Sequence, residues 1–253
     1  MQTFKLTLEY DGSKFSGWQQ QINARTVQGE LIAAARDLFR AEIDIQGAGR
    51  TDAGVHALGQ VAHIKLRTPS RLTPEQILRD LNDRLPSSIA VVELLPAPAR
   101  FHARHDAVSR VYFYQISTRK TALAKRYVWW IKEPLNIESM QQAAALLAGR
   151  HDFAAFCAPD PSKPGESTIV VVDSAEIGRD DHMIVFRVEA SHFLWKMVRR
   201  LAGTLVKIGK GDVTVEQFRA LLQGQARKPL PGVDIAAWTA PASGLFLEAV
   251  KYV

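Results

Sequence analysis

Along the first ten residues, Phe4, Leu6, Leu8 and Tyr10 alternate with Lys5, Thr7 and Glu9, the period-2 pattern of a half-buried strand. "DGSKFSGW" then breaks it. From Thr26, a good N-cap, Val27, Leu31, Ala34 and Leu38 recur at helical spacing, so "TVQGELIAAARDLF" predicts an amphipathic helix. Farther on, Ala62, Ile64 and Leu66 share one strand face, and Thr73-Pro74 opens a second helix carrying Ile77, Leu78 and Leu81. The first half reads as strand, helix, glycine-rich segment, strand, helix, strand.

"LLPAPARFHARHD", residues 94–106, predicts a hinge, because two prolines and alternating alanines resist both helix and sheet. Beyond it Tyr112, Tyr114 and Ile116 alternate with Val111, Phe113 and Gln115 as a strand. "NIESMQQAAALLAG" predicts a helix with Gly149 just past its end, and "APDPSKPGES" (158–167) has the composition of an exposed loop. Ile184, Phe186, Val188 and Ala190 predict a strand, and "FLWKMVRRLAGTLVKIG" a long helix. Another helix with Val215, Phe218 and Leu222 stops near Gly224, and "GLFLEAVKYV" closes as a strand. Few strand-helix-strand units are long and regular enough for a wholly parallel sheet. The expected class is α+β, with two related lobes, residues 1–104 and 105–253, each an antiparallel or mixed sheet flanked by helices.

Composition narrows the class. The 253 residues are 47% hydrophobic, ample for a real core. No apolar run approaches the roughly 18 residues of a membrane helix, and the opening alternation is unlike a signal peptide, so the cytoplasm is the expected location and no membrane is a partner. The net charge of +6 and a pI near 9.5, with Lys and Arg spread through the chain, favour a polyanionic partner, in first place nucleic acid. A single cysteine, Cys157, makes no internal disulfide and has no neighbour for a zinc site or a redox pair. It reads as a small residue in or near the core.

The chemistry concentrates in "GAGRTDAGVHALGQVAH", residues 47–63. Gly47 and Gly49 suggest a dinucleotide fingerprint, but the third glycine is Gly54, two places late, and a strand follows where a helix should open. Gly49 and Gly54 have the P-loop spacing, yet Val55-His56 occupies the Lys and Ser/Thr positions. His56 and His63 lack a third ligand and read as one surface and one sheet-face histidine. What remains is Arg50-Thr51-Asp52 in a glycine-bracketed turn, whose small neighbours admit a bulky substrate to the backbone and whose aspartate could equally bond its own turn. A carboxylate without a second acid close by points to nucleophilic or electrostatic work at an electron-poor carbon, as at a sugar, rather than paired acid–base chemistry.

This segment resembles the signature of the tRNA pseudouridine synthase A family, and the resemblance continues in order over essentially the whole chain: "LEYDGSKFSGWQQQ", "RTVQGEL", "FHARHDAVSRVYFYQI", "HDFAAF", "FLWKMVRRLAGTLVKIG" and "APASGLFLEAVKY". The resemblance implies the pseudouridine synthase fold and a homodimer with a basic cleft for tRNA. It implies isomerisation of uridine to pseudouridine at positions 38, 39 and 40 of the anticodon stem-loop, with neither cofactor nor metal. On the same ground Asp52 is the essential aspartate, attacking ribose C1′ or assisting loss of the base. Tyr112 is the tyrosine that packs on the uracil and Arg50 a phosphate or stem contact. Tyr114, on the same strand face, reads as packing.

On the helical wheel of "FLWKMVRRLAGTLVKIG", Leu194, Val198, Leu201, Leu205 and Ile208 form the core stripe, with Trp195, Arg199, Ala202 and Val206 on an adjacent apolar flank. Arg199 is therefore expected to be partly buried and to need an anionic partner. The resemblance supplies Asp52, whose carboxylate such a pair would keep ionised and aimed. Lys196, Arg200, Gly203 and Lys207 form the predicted polar side. The chain departs from the family pattern in Arg200, where asparagine is usual, near Val170, where an arginine is expected, at Ser243, where histidine is frequent, and in the apolar Val111 and Phe113 beside the tyrosine. Two other classes share parts of this signature: a uridine-specific glycosidase, which would release free base, and a non-catalytic RNA-binding protein or chaperone.

Overall fold

The computed structural model describes residues 2–159, 165–223 and 232–253. In chain order the elements are β1 (Gln2–Tyr10), α1 (Val27–Phe39), β2 (Ile43–Gly47), β3 (His56–Leu66), α2 (Pro74–Asn82), β4 (Ile89–Ala97), β5 (Ala107–Ser117) and β6 (Trp129–Trp130). There follow α3 (Ile137–Ala145), β7 (Gly149–Asp152), β8 (Ile169–Asp180), β9 (Met183–Ala190), α4 (Met197–Gly209), α5 (Val215–Leu222) and β10 (Leu245–Tyr252). The class is α+β, as the hydrophobic pattern predicts. Among the described residues no helix is long and apolar enough to cross a membrane.

The chain forms two compact units, 1–108 with 246–253, and 109–245. The expected division at 104/105 differs from these units in the last strand. The second half of the sequence returns its C-terminal segment to the first unit, where Phe246 and Leu247 of β10 pair in parallel with His56 and Ala57 of β3.

In the first unit the antiparallel pairs β4·β1 and β1·β3 make the sheet. The other edge of β3 is shared, because β2 pairs with residues 62–66 and β10 with residues 56 and 57. The connection from β2 to β3 thus lies where β3 changes partner. Phe4, Leu6 and Leu8 of β1, Ile64 and Leu66 of β3, Val27 and Leu31 of α1, and Ile77 and Leu81 of α2 are buried in one core. Thr26 caps α1 by accepting from the Gly29 amide at 3.2 Å, and Thr73 with Gln76 closes a capping box on α2. The expected hinge at 94–106 is overturned at its start. Residues 94–97 belong to β4, where Pro96 stands opposite Phe4, and β4, whose other edge pairs with no strand among the described residues, tolerates the missing N–H.

In the second unit β5, β9, β8 and β7 lie in that order with antiparallel pairing, and Ile116 and Ser117 of β5 also pair in parallel with β6. The alternating Ile184, Phe186, Val188 and Ala190 of β9 are fully buried. The helix expected from Phe193 begins only at Met197. Lys196 takes a left-handed backbone (φ 61°), and the Met197 amide donates to Leu194 O at 3.1 Å, so 193–196 is a turn. Residues 160–164 of the expected exposed loop and the stop at Gly224 lie outside the described residues.

Candidate active site

Asp52 sits in the 48–55 loop, which is built against a second loop, 11–18, of the same unit. The Trp18 amide donates to Thr51 O at 3.0 Å and the Gly54 amide to Phe15 O at 3.3 Å. The two backbones touch so closely that a Cβ at Gly12 would lie 1.9 Å from Val55 O, and one at Gly17 2.6 Å from Thr51 O. A turn, Val55 N–H to Asp52 O at 3.1 Å, closes the loop, with Gly54 (φ +79°) at the position that needs a left-handed residue. Trp18 also covers Gly47, where a Cβ would come within 2.5 Å of the indole.

Side chains pin what the backbone leaves. The hydroxyls of Tyr10 and Thr51 are hydrogen-bonded at 2.8 Å, and Gln60 Nε2 donates to Gly49 O at 3.1 Å. Burial pushes the Tyr10 hydroxyl up to about 12, against the weaker opposing effect of Thr51 and Gln60, so it stays a neutral O–H beside the motif. Buried Gln28 is a hub: its Oε1 accepts from Gln19 Nε2 at 2.7 Å and from the Gln20 amide at 2.9 Å, while its Nε2 donates to Ile45 O at 2.9 Å. Gln19 in turn accepts from Arg50 Nε at 3.2 Å. Arg50 is exposed but oriented, and Asp52 is half-buried on a loop fixed at Gly49, Thr51, Gly54 and Val55. Among the glycines of residues 47–54, only Gly49 is dictated by neither packing nor backbone, since a Cβ there would meet nothing within 4 Å.

Neither histidine of the motif is at the surface. His56 is 1% exposed, stacks on Phe246 at 4.7 Å and accepts at Nδ1 from the Gly12 amide at 3.1 Å. Its 3.2 Å approach to Asp11 Oδ1 is thus not a bond donated by that nitrogen, and the same Asp11 oxygen caps the Ser13 amide. The expected surface position is overturned because the 11–14 turn and β10 cover it. His63 is buried in the sheet, as expected, and its Nδ1 accepts from the Ala103 amide at 3.1 Å. Among the described residues no group of three or more His, Cys, Asp or Glu could hold a metal ion.

Tyr112 and Arg199 belong to the second unit. Tyr112, 8% exposed on β5, meets Phe193 edge to face at 5.0 Å. Tyr114 is fully buried and donates to Pro241 O at 2.7 Å. Burial raises its hydroxyl pKa far more than the nearby Arg199 charge lowers it, which fits the packing role expected of it. Arg199 is half-buried, as the wheel predicts, and its Nε donates to Ala240 O at 2.7 Å while the Ala240 amide returns a bond to Arg199 O at 3.0 Å. Arg200 overturns the predicted polar side: it is 9% exposed, and its Nη1 donates to Cys157 O. Helix α4 is covered on that side too, by the 154–158 turn and by segment 238–240, against which Gly203 packs so tightly that a Cβ would lie 1.7 Å from Trp238 O.

Of the residues expected at the site, Arg50 and Asp52 lie in the first unit and Tyr112 and Arg199 in the second, each held as described. The residues that brace the 48–55 loop, Tyr10, Trp18, Gln19, Gln28 and Gln60, were not expected from the sequence. Their only signal was polar residues placed among apolar ones, as at Gln28 on the buried face of α1.

The sequence profile of the family described as "tRNA pseudouridine synthase" matches residues 7–106 and 143–253, which includes Arg50, Asp52 and Arg199 but not Tyr112. Proteins named tRNA pseudouridine synthase A from Thermosipho melanesiensis and Moorella thermoacetica are 40% and 41% identical to this chain, each over all of both chains. The protein of that name from Agrobacterium fabrum is 38% identical over all of this chain and 93% of its own. With its lone aspartate on a doubly braced glycine loop, and with this likeness over its full length, the chain belongs to the tRNA pseudouridine synthase family.

Proposed function

We propose that this chain isomerises uridine to pseudouridine at positions 38, 39 and 40 in the anticodon stem-loop of tRNA, with Asp52 as the catalytic carboxylate. The observation that carries the reading is the bracing of the 48–55 loop. Its backbone is tied down on both sides of Asp52, while Gly49 leaves the approach open to a substrate. A positioned, half-buried carboxylate suits attack at C1′ or assistance to departure of the base.

The reaction balances within the substrate. The C1′–N1 bond breaks, the uracil turns, a C1′–C5 bond forms, C5 loses a proton and N1 gains one. Nothing is oxidised or reduced, and only the C5 proton passes to solvent while N1 takes one up, so one carboxylate and no redox cofactor suffices, and no metal is required. Tyr112 packs against the detached uracil, and stacking is a physical way to retain it. Arg199 pairs with Asp52, and Arg50, oriented by Gln19, contacts a phosphate; these two roles follow from the resemblance of the motifs. The enzyme acts in the cytoplasm as a homodimer.

The test incubates the purified chain with tRNA tritiated at uracil C5. Tritium release with pseudouridine mapped at positions 38 to 40, abolished in Asp52→Asn with tRNA binding retained, supports the proposal. Free uracil identifies a glycosidase, and binding without either product a non-catalytic RNA-binding protein. A rate that falls with chelator and returns with added metal, once tRNA folding is controlled, overturns the metal-free mechanism. Light scattering in solution reads the homodimer.

A further inference from the structure

The second unit carries a cleft of about 310 Å³ that the proposed chemistry does not use. Its floor is one face of α4 and its C-cap, where Gly203, Val206, Lys207 and the capping Lys210 follow at i, i+3, i+4 and i+7, and its walls carry Trp129 and Trp238. Both indoles are half-buried. Trp129 is steadied from behind by buried Tyr114, edge to face at 6.2 Å, and Trp238 by its backbone contact with Gly203. Lys207 Nζ stands 5.7 Å from the Trp238 ring centre.

Two accessible aromatic rings beside two ammonium groups suit a ligand that is a flat ring carrying an anion. The lysines are engaged with acids, Lys207 with Asp212 at 2.9 Å and Lys210 with Glu133 at 3.0 Å, but these carboxylates are 48% and 58% exposed. Pairs of that kind are weak, and an ammonium has three donors, so each lysine can also bind a phosphate oxygen. The volume lies at the small end of ligand pockets and admits one nucleotide, not a helical stem. At about 1.5 Å of rise per residue, Lys207 and Lys210 lie roughly 12 and 16 Å along the α4 axis from Arg199, about two and three turns away.

We infer that this cleft is a second RNA-contact site, which takes one unpaired nucleotide of the substrate tRNA by stacking its base on Trp238 and Trp129 and holding its phosphate at Lys207 and Lys210. The inference rests on the proposed tRNA substrate. It assigns these residues to binding and not to the reaction.

The test measures tRNA affinity in an Asp52→Asn background, and the single-turnover rate at saturating tRNA with Asp52 intact. Trp238→Ala is expected to weaken binding about tenfold, in line with the loss of one base stack, with the saturated rate within about twofold of the parent. Lys207→Gln with Lys210→Gln lies farther from Ala240 and Arg199. It is expected to weaken binding and to lower the slope of log affinity against log salt by about two. Unchanged affinity and salt slope in both variants, with unchanged melting temperature, overturns the site. So does a saturated rate that falls as much as affinity, which would assign Trp238 to holding Arg199, or a change in oligomeric state alone, which would make the cleft an interface between copies. A parent enzyme that forms no pseudouridine sinks the proposed function instead, and normal modification with unaltered binding in the variants sinks only the cleft.

Discussion

The guanidinium of Arg200 donates from Nη1 to the carbonyl of Cys157, and it is this arginine, not its neighbour Arg199, that lies the deeper in the protein. Arg200 Nε has no hydrogen-bond partner among the described residues. A buried cation anchored to a backbone carbonyl braces the 154–158 turn against α4, whereas Arg199 reaches segment 238–240.

The two neighbours should therefore fail differently. Arg200→Lys loses the planar fork that reaches Cys157 and should cost about 1–3 kcal/mol of stability, read as a lower urea midpoint, with the folded enzyme's single-turnover rate within a few fold. If Arg199 serves Asp52 as proposed, Arg199→Lys should keep most of the stability and lose rate by about two orders of magnitude or more, because a point charge cannot fix a carboxylate as a fork does. Equal losses of rate in both variants would reject the assignment of Arg199 to the reaction.

Two glycines of the braced loops make a second contrast. Gly12→Ala puts a methyl group 1.9 Å from Val55 O, so backbone must move, and both stability and pseudouridine formation should fall. Gly49→Ala meets nothing within 4 Å and should melt like the parent, yet modify tRNA more slowly, since the methyl group occupies the side left open for the substrate. A Gly49→Ala enzyme with full activity at subsaturating tRNA would show that the open side is not used.

The glutamine relay predicts graded effects. Gln28→Ala strands the buried Ile45 carbonyl and frees the part-buried Gln20 amide, and should destabilise by about 1–3 kcal/mol in urea titrations. Gln19→Ala removes only the exposed end that orients Arg50, so it should leave the midpoint within about 0.5 kcal/mol and raise the tRNA concentration needed for half-maximal rate. An unchanged requirement for tRNA would detach Arg50 from substrate binding.

Acid should weaken the first unit through His63. Burial lowers its pKa more than Asp44 raises it, and His102 and Lys65 lower it further. Nε2 lies 3.6 Å from Asp44, too far for a hydrogen bond. Below the ordinary histidine pKa of about 6.5 the unfolded chain takes up a proton that the folded chain resists. Stability from this group is thus complete above that pH and lost as pH falls toward the lowered folded value. The urea midpoint should drop between pH 7.5 and 5.5, and His63→Asn, which keeps a side-chain acceptor but cannot titrate there, should reduce the drop. An equal drop in the variant would clear His63 of the effect.

Local periodicity determined much of this protein. Alternation in β1, β5 and β9, the capped stripes of α1 and α2, and the failure of residues 47–63 to fit a phosphate loop are all properties of neighbours in sequence, as is the core stripe of α4. The loop that carries Arg50 and Asp52 was legible for the same reason, since its bracketing glycines mark a turn. Tertiary structure alone decided which polar groups are covered. The wheel of α4 has one expected polar side, but the 154–158 turn and segment 238–240 come from about 40 residues away in either direction and bury Arg200 and Gly203 on it, so Arg200 is anchored rather than solvated. His56 is covered by β10, nearly two hundred residues distant, and Asp52's neighbours Thr51 and Arg50 are held by Tyr10, Trp18 and the Gln28 relay, none of which any period connects to them. Periodicity reports which face of an element is apolar; only the packed chain determines what lies against the other.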